Sequence, residues 1–419
     1  MAEEAHFTGR GLNEMAPLRF ALLILCLVAL SGLMQPTAGF AQADAGFQRF
    51  LQDLWPLAQA KGVRRETFET AVKGLEPDPT APSAQSRQAE FDKPLKAYLA
   101  EAASKERIQR GRTAQKAWGG ELGGISRRFG VADEILVAAW GIETDFGRAS
   151  GAKDIIRSLA TLAYRRPDRE IFRDELISAL IILDKGEVPR EKMRGSWAGA
   201  MGGPQFLPSA YLKYAVSADG SAFPDIWDKP QDCLASIANF LRQSGWRPGL
   251  PWGMEVVLPA GFDFASLHRS FPAFASLGVS SADGGPLPAA GEATLFLPSG
   301  AAGPAFLLSE NYWVLKLYNN SDSYALSLAL LADRIDGKAD LRAHWPANET
   351  FLSRTQKAEI QRLLEKLGFY RGAIDGRFGQ ASRDAIHDFQ VSVAAHPTDG
   401  YGSLEVLRRL KEGVERTGQ

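Results

Sequence analysis

Apolar residues recur at helical spacing along most of this chain, and short β-type runs appear in one stretch only. Phe47, Phe50, Leu51, Leu54 and Leu57 predict helix over 45–75. Glu76-Pro-Asp-Pro-Thr-Ala-Pro82 then predicts a loop. Helix resumes around Tyr98 and again over 103–129, where the pairs Gly119-Gly120 and Gly123-Gly124 weaken the pattern. Residues 131–142 are apolar nearly all round, as a buried helix is. Two helices follow over 153–184, parted by Arg165-Arg-Pro-Asp168, and another over 229–244. From 254 to 318 Pro and Gly increase, and Glu255–Leu258, Ala293–Leu297 and Ala305–Leu308 read as strands of a small sheet lobe. Helix returns over 323–335. A connector then leads to a compact unit with helices at Gln356–Leu367, Gln380–Val391 and Gly402–Leu410. The fold class is mainly α (α+β), with a large helical domain, a sheet-bearing lobe and a small three-helix domain.

Composition narrows the function. The 419 residues are 45% hydrophobic and 23% charged, with a formal net charge of −1. That supports two or three domains and argues against nucleic acid, which needs a clustered cationic face. Arg19 precedes the apolar run Phe20–Leu30, and small residues follow to Ala41. This describes a secretory signal peptide over residues 1–41, cleaved after Ala41 or Ala43, with Met15 an alternative start. A membrane anchor is the competing reading, although the run is shorter than the ~20 residues that span a bilayer. The expectation is an exported, periplasmic protein with no stable membrane insertion after processing. Of two cysteines, Cys26 lies in the apolar run, and Cys233 is expected to be a buried small hydrophobe.

Candidate chemistry sits in three places. Glu143 stands where the apolar helix ends, in Glu-Thr-Asp-Phe-Gly147. Desolvation by Trp140, Ile142 and Phe146 would raise the pKa of its carboxyl, as general acid catalysis needs. A helix cap or salt bridge is the plainer alternative. The stretch Ser196–Ser209 brings neutral donors and acceptors, Ser196 and Gln205, with Gly199, Gly202 and Gly203 allowing close approach to a ligand. Tyr318-Asn-Asn-Ser-Asp-Ser-Tyr324 adds two aromatics and amides, or simply a capped helix start. Asp145 is expected to be structural.

These three ordered motifs resemble the membrane-bound lytic murein transglycosylase B family over about residues 45–335. The resemblance implies a lysozyme-like helical fold with a deep glycan cleft, and non-hydrolytic cleavage of the MurNAc–GlcNAc β-1,4 bond of peptidoglycan. It makes Glu143 the sole catalytic acid/base and Ser196, Gln205, Tyr98, Asn319 and Tyr324 substrate-contacting. In the implied mechanism Glu143 protonates the leaving oxygen, then takes the proton of the C6 hydroxyl that closes a 1,6-anhydro ring. No second carboxylate is needed, unlike the paired-acid glycosidases.

Some relatives carry a calcium loop after the Gln motif. Here Ser217-Ala-Asp-Gly-Ser221 puts serines where carboxylates are wanted, so no metal and no cofactor are expected. Phe240 stands where a relative has Tyr. Residues 336–350 read as linker, and 351–412 resemble the three-helix peptidoglycan-binding domain through Ile374-Asp-Gly-Arg-Phe-Gly379 and Ala385–Gln390. Leu364, Leu367, Ile374 and Phe389 are its expected core, and His387 is expected at the surface. Peptidoglycan strands are the implied partner; any wall-synthesis protein partner is not legible. A hydrolytic muramidase and a non-catalytic wall-binding scaffold remain competing readings.

Overall fold

A computed structural model describes residues 38–81, 93–347 and 351–417. The predicted signal run, with Cys26, lies outside the described residues. The chain parts into two units, residues 1–45 and 46–419, and apart from the start of the first helix the second carries the features below. No helix among the described residues is long and apolar enough to cross a membrane.

The predicted helix over 45–75 is three: α1 Ala38–Asp53, α2 Trp55–Ala60 and α3 Arg65–Val72. Pro56 starts α2 in its first turn, where its missing N–H is not needed. Leu57, expected on the inner face, is 43% exposed because the break at Leu54 rotates the pattern. Next come α4 Leu95–Ala102, α5 Lys105–Ala117 and α6 Gly119–Phe129. The expected single helix over 103–129 breaks at Trp118, which leaves helical geometry. Helix α7, Asp133–Thr144, buries Ile135 to Gly141 on every side, as its all-round apolar pattern requires.

A two-residue pair, β1 Lys153–Asp154 with β2 Arg194–Gly195, brackets α8 Ile155–Arg165 and α9 Glu170–Asp184. Then follow α10 Pro208–Tyr214 and α11 Pro230–Gln243. The lobe holds β3 Gly253–Val257, β4 His268–Ser270, α12 Phe271–Ser276, β5 Ser280–Ser281, β6 Glu292–Phe296 and β7 Ala305–Leu308. Its antiparallel sheet runs β4-β6-β7-β3-β5. Three of these strands match the predicted runs. The same stretch also hides α13, Glu310–Tyr318, started by Ser309 accepting from Asn311 N. Helix α14, Asp322–Ile335, closes the large domain.

Two apolar cores fill that domain. One joins α7, α11 and α14; the other joins α1–α3 with α8 and α9. Phe240 and Tyr318 pack against both, so the end of α7 lies at their seam. The C-terminal unit is α15 Arg354–Lys366, α16 Gln380–Ser392 and α17 Leu404–Thr417. Leu364 and Phe389 are buried in its core. Ile374 is not: at 37% exposed it lies on the turn surface. His387 also departs from expectation. It is 9% exposed and its Nε2 lies 2.7 Å from the Phe264 carbonyl of the sheet lobe. The fold is lysozyme-like and mainly helical, with a small sheet lobe and a C-terminal helical domain.

Candidate active site

Glu143 occupies the last turn of α7 and is half-buried. The helix stops beyond it because Asp145 (φ 51°) and Phe146 (φ 63°) turn left-handed, which costs a non-glycine residue about 1 kcal/mol or more. Two contacts hold that turn. Arg110 donates to Asp145 Oδ1 at 2.7 Å, so Asp145 is committed to a cation. Phe146 stacks edge-on against Trp140, ring centres 5.9 Å apart.

Thr144, which the sequence did not single out, joins the first two motifs. It is 1% exposed, donates to Gly203 O at 3.0 Å and accepts from Gly147 N at 3.1 Å. The small-residue loop is thereby fastened to the end of α7. That loop is itself tightly folded: Ser196 N donates to Ala200 O, and Met201 and Phe206 exchange both backbone bonds. Ser196 Oγ accepts from Ala198 N and Ala200 N at 3.3 and 3.1 Å. Gln205 is left-handed (φ 51°) and its side-chain amide donates to Ser150 O and Gly202 O. Both predicted residues thus brace the loop and remain half-buried.

Two of the glycines are also required by packing. A Cβ on Gly203 would lie 2.6 Å from Cys233 Sγ, and one on Gly202 would meet Ile226 O at the same distance. Cys233 is 1% exposed, as expected of a small hydrophobe, and burial pushes its thiol pKa up.

The third motif supplies the floor. Ser321 caps α14 and accepts from Tyr324 N, as the capping alternative anticipated. Tyr324 is 2% exposed and its hydroxyl donates to Glu143 Oε1 at 2.5 Å. Tyr318 stacks on Tyr324 at 6.2 Å and donates to Pro204 O at 2.6 Å. Burial first, and the Glu143 charge next, raise the pKa of both phenols well above the usual value, so both stay protonated donors. Tyr98, on α4, is close enough to Tyr324 to push its pKa further up. Asn319 closes α13 in extended geometry. Phe240 packs edge-on against Tyr318 at 4.9 Å, beneath this floor.

The candidate calcium loop does not fit a metal. Asp219 accepts from Ser217, Ser221 N and Lys229 Nζ, and Asp232 accepts from Ala218 N and Asp225 N. Those hydrogen bonds, with Lys229 among the donors, hold the Asp219 carboxyl far below the usual range. A lysine ammonium sits where a cation would be wanted, and the described residues contain no group of three or more His, Cys, Asp or Glu suited to a metal.

One half-buried carboxyl is thus steered by a buried phenol and flanked by a neutral loop. That arrangement suits proton transfer to and from a sugar oxygen. The family model for "Transglycosylase SLT domain" matches residues 46–333, a span that contains every one of these groups. The chain belongs to that family. Residues 353–410 match the model described as "Putative peptidoglycan binding domain".

Among curated proteins, membrane-bound lytic murein transglycosylase B of Escherichia coli (strain K12) is 33% identical over 214 residues, 49% of this chain. The matched stretch spans 58% of that relative's length. SltB3 of Pseudomonas aeruginosa, crystallised with NAG-anhNAM-pentapeptide, is 42% identical with a TM-score of 0.79, covering 87% of this chain and 99% of that one. SltB1 of the same organism is 28% identical with a TM-score of 0.60, covering 68% and 98%.

Proposed function

We propose that this SLT-domain protein is an exported, periplasmic lytic transglycosylase. It would cleave the MurNAc–GlcNAc β-1,4 bond of peptidoglycan and leave 1,6-anhydro-MurNAc ends. The observation that carries the reading is the 2.5 Å hydrogen bond from Tyr324 to Glu143 at the seam of two cores. Glu143 is the general acid. As it protonates the glycosidic oxygen, the departing sugar leaves positive charge at the anomeric centre, which the substrate's own N-acetyl carbonyl supports. The carboxylate so formed accepts the proton of the C6 hydroxyl, and that oxygen closes the ring. The proton count returns to the start with no water consumed. Tyr324 orients Glu143 and stabilises its charged form between the two steps.

Ser196, Gln205, Tyr98 and Asn319 are assigned to substrate contact, while Tyr324, expected among them, is 2% exposed with its hydroxyl turned to Glu143. Residues 45–335 form the catalytic domain, 336–350 the linker and 351–412 a wall-binding domain, preceded by a signal peptide over 1–41. Tethering to an insoluble polymer raises the local concentration of the catalytic domain on it. The complex of SltB3 with an anhydro sugar favours transfer over hydrolysis for this chain. Mass spectrometry of digested sacculi tests the reading: products lighter than the reducing-end sugars by one water are expected, and reducing ends alone would make the protein a muramidase.

A further inference from the structure

Asp322 joins the catalytic floor to the C-terminal unit. It is the first residue of α14, two positions before Tyr324, and its side chain is 12% exposed. Lys316 of α13 reaches its Oδ1 at 2.7 Å, and Arg383 of α16 reaches Oδ2 at 2.7 Å. The buried Tyr312 hydroxyl adds a contact at 3.3 Å. Burial alone would raise the pKa of Asp322, but Arg383 and Lys316 hold it down to about 2. The Arg383 guanidinium also lies 4.8 Å over the Phe296 ring of β6. It is therefore gripped from the side as well as at its tip.

We propose that Arg383 of the C-terminal unit is a positioning residue for the Glu143–Tyr324 pair, acting through Asp322. This rests on Glu143 being the catalytic group. Tyr324 is on the first turn of a helix whose start is set by the Ser321 cap and the Asp322 carboxylate. A buried carboxylate that loses one of two cations swings toward the other, since an uncompensated charge is costly. Here it would swing toward Lys316, turning the first helical turn and the phenol with it. Catalytic geometry tolerates little of that, because a 1 Å misplacement costs on the order of 100-fold. The wall-binding unit would thus complete the active site as well as tether it.

A merely docking role makes different predictions, because other contacts also join the units. His268 Nε2 lies 2.9 Å from Asp384, and Asp399 accepts from Ala301 N at 3.0 Å. The test uses the full chain on a soluble peptidoglycan fragment. Arg383→Gln is expected to lower kcat about tenfold, well within that misplacement cost, with KM held. Arg383→Lys should recover most of the loss, Asp322→Asn should reproduce it, and His268→Gln should leave kcat unchanged. In a Tyr324→Phe background, Arg383→Gln should add little, since two residues in one network are not additive. Thermal midpoints identify any variant that fails to fold, and Arg383→Lys and Asp322→Asn then carry the test. The proposal is overturned if kcat is unchanged, if the loss lies in KM, if His268→Gln matches it, or if the full loss persists without the Tyr324 hydroxyl. Full activity in Glu143→Gln would instead overturn the reading of the site on which the proposal stands.

Discussion

Tyr324 donates to Glu143 from a position 2% exposed, where water cannot replace it. A hydrogen bond to a charged group contributes about 1.5–3 kcal/mol, so Tyr324→Phe is expected to lower kcat by about 10- to 100-fold, read in steady-state kinetics with KM little changed. Gly203 is constrained as tightly. Its alanine would meet Cys233 Sγ at 2.6 Å, and such overpacking costs ~1–3 kcal/mol. Chemical denaturation should show that loss for Gly203→Ala and a smaller one when Cys233→Ala makes room. Glu143, Ser196 and Gln205 were legible because each stands where an apolar helix or a small-residue loop is interrupted by a polar group. The partners of Glu143 were not. Tyr324 lies 181 positions away and Gly203, which Thr144 fastens to the helix end, 59 positions from its donor. Spacing along a chain carries no trace of such pairings. Nor does it show that the missing side chains of Gly203 and Gly202 make room for Cys233 and Ile226.

Elements were most legible where the apolar pattern was long and undisturbed. The all-round apolar run predicts α7 to within two residues, and the short β-type runs predict β3, β6 and β7. Helix α13 was hidden because its start depends on Ser309 and on Asn311, which is fully buried and hydrogen-bonded to the loop at Arg247 and Leu250. A buried amide reads as polar, and so as loop, until its partners are seen. The loop around Asp219 is an element-scale case of chemistry replaced. Lys229 and two serines satisfy the carboxylate. Calcium should therefore leave the thermal midpoint unchanged, since only a ligand that binds the native state raises it. A calcium-dependent rise of several degrees, removed by chelator, would contradict this geometry.

At the scale of the whole chain, the sheet lobe and the C-terminal unit meet through His268 of β4 and Asp384 of α16, 2.9 Å apart. The hydrogen bond that His268 donates to Asp384 raises the pKa of His268, against burial and the neighbouring Arg383, which lower it. Folded His268 therefore holds its proton more tightly than the unfolded side chain, whose pKa is about 6.5. The pair supports docking fully below that value and loses its contribution as pH rises through the higher folded pKa. Proteolytic cleavage in the connector 336–350 should quicken as pH rises above about 6.5, and His268→Gln should flatten that dependence. The sequence indicated a C-terminal helical unit but not its seating, since His387 reads as an ordinary surface position on a helix. The central claim for the molecule remains the proton cycle of one carboxyl. The most direct measurement is the initial rate at which purified sacculi are solubilised by Glu143→Gln beside the unaltered protein. A loss on the order of 100- to 10,000-fold, the range general acid–base catalysis supplies, with the thermal midpoint retained, is predicted; an undiminished rate from the folded variant would contradict the account.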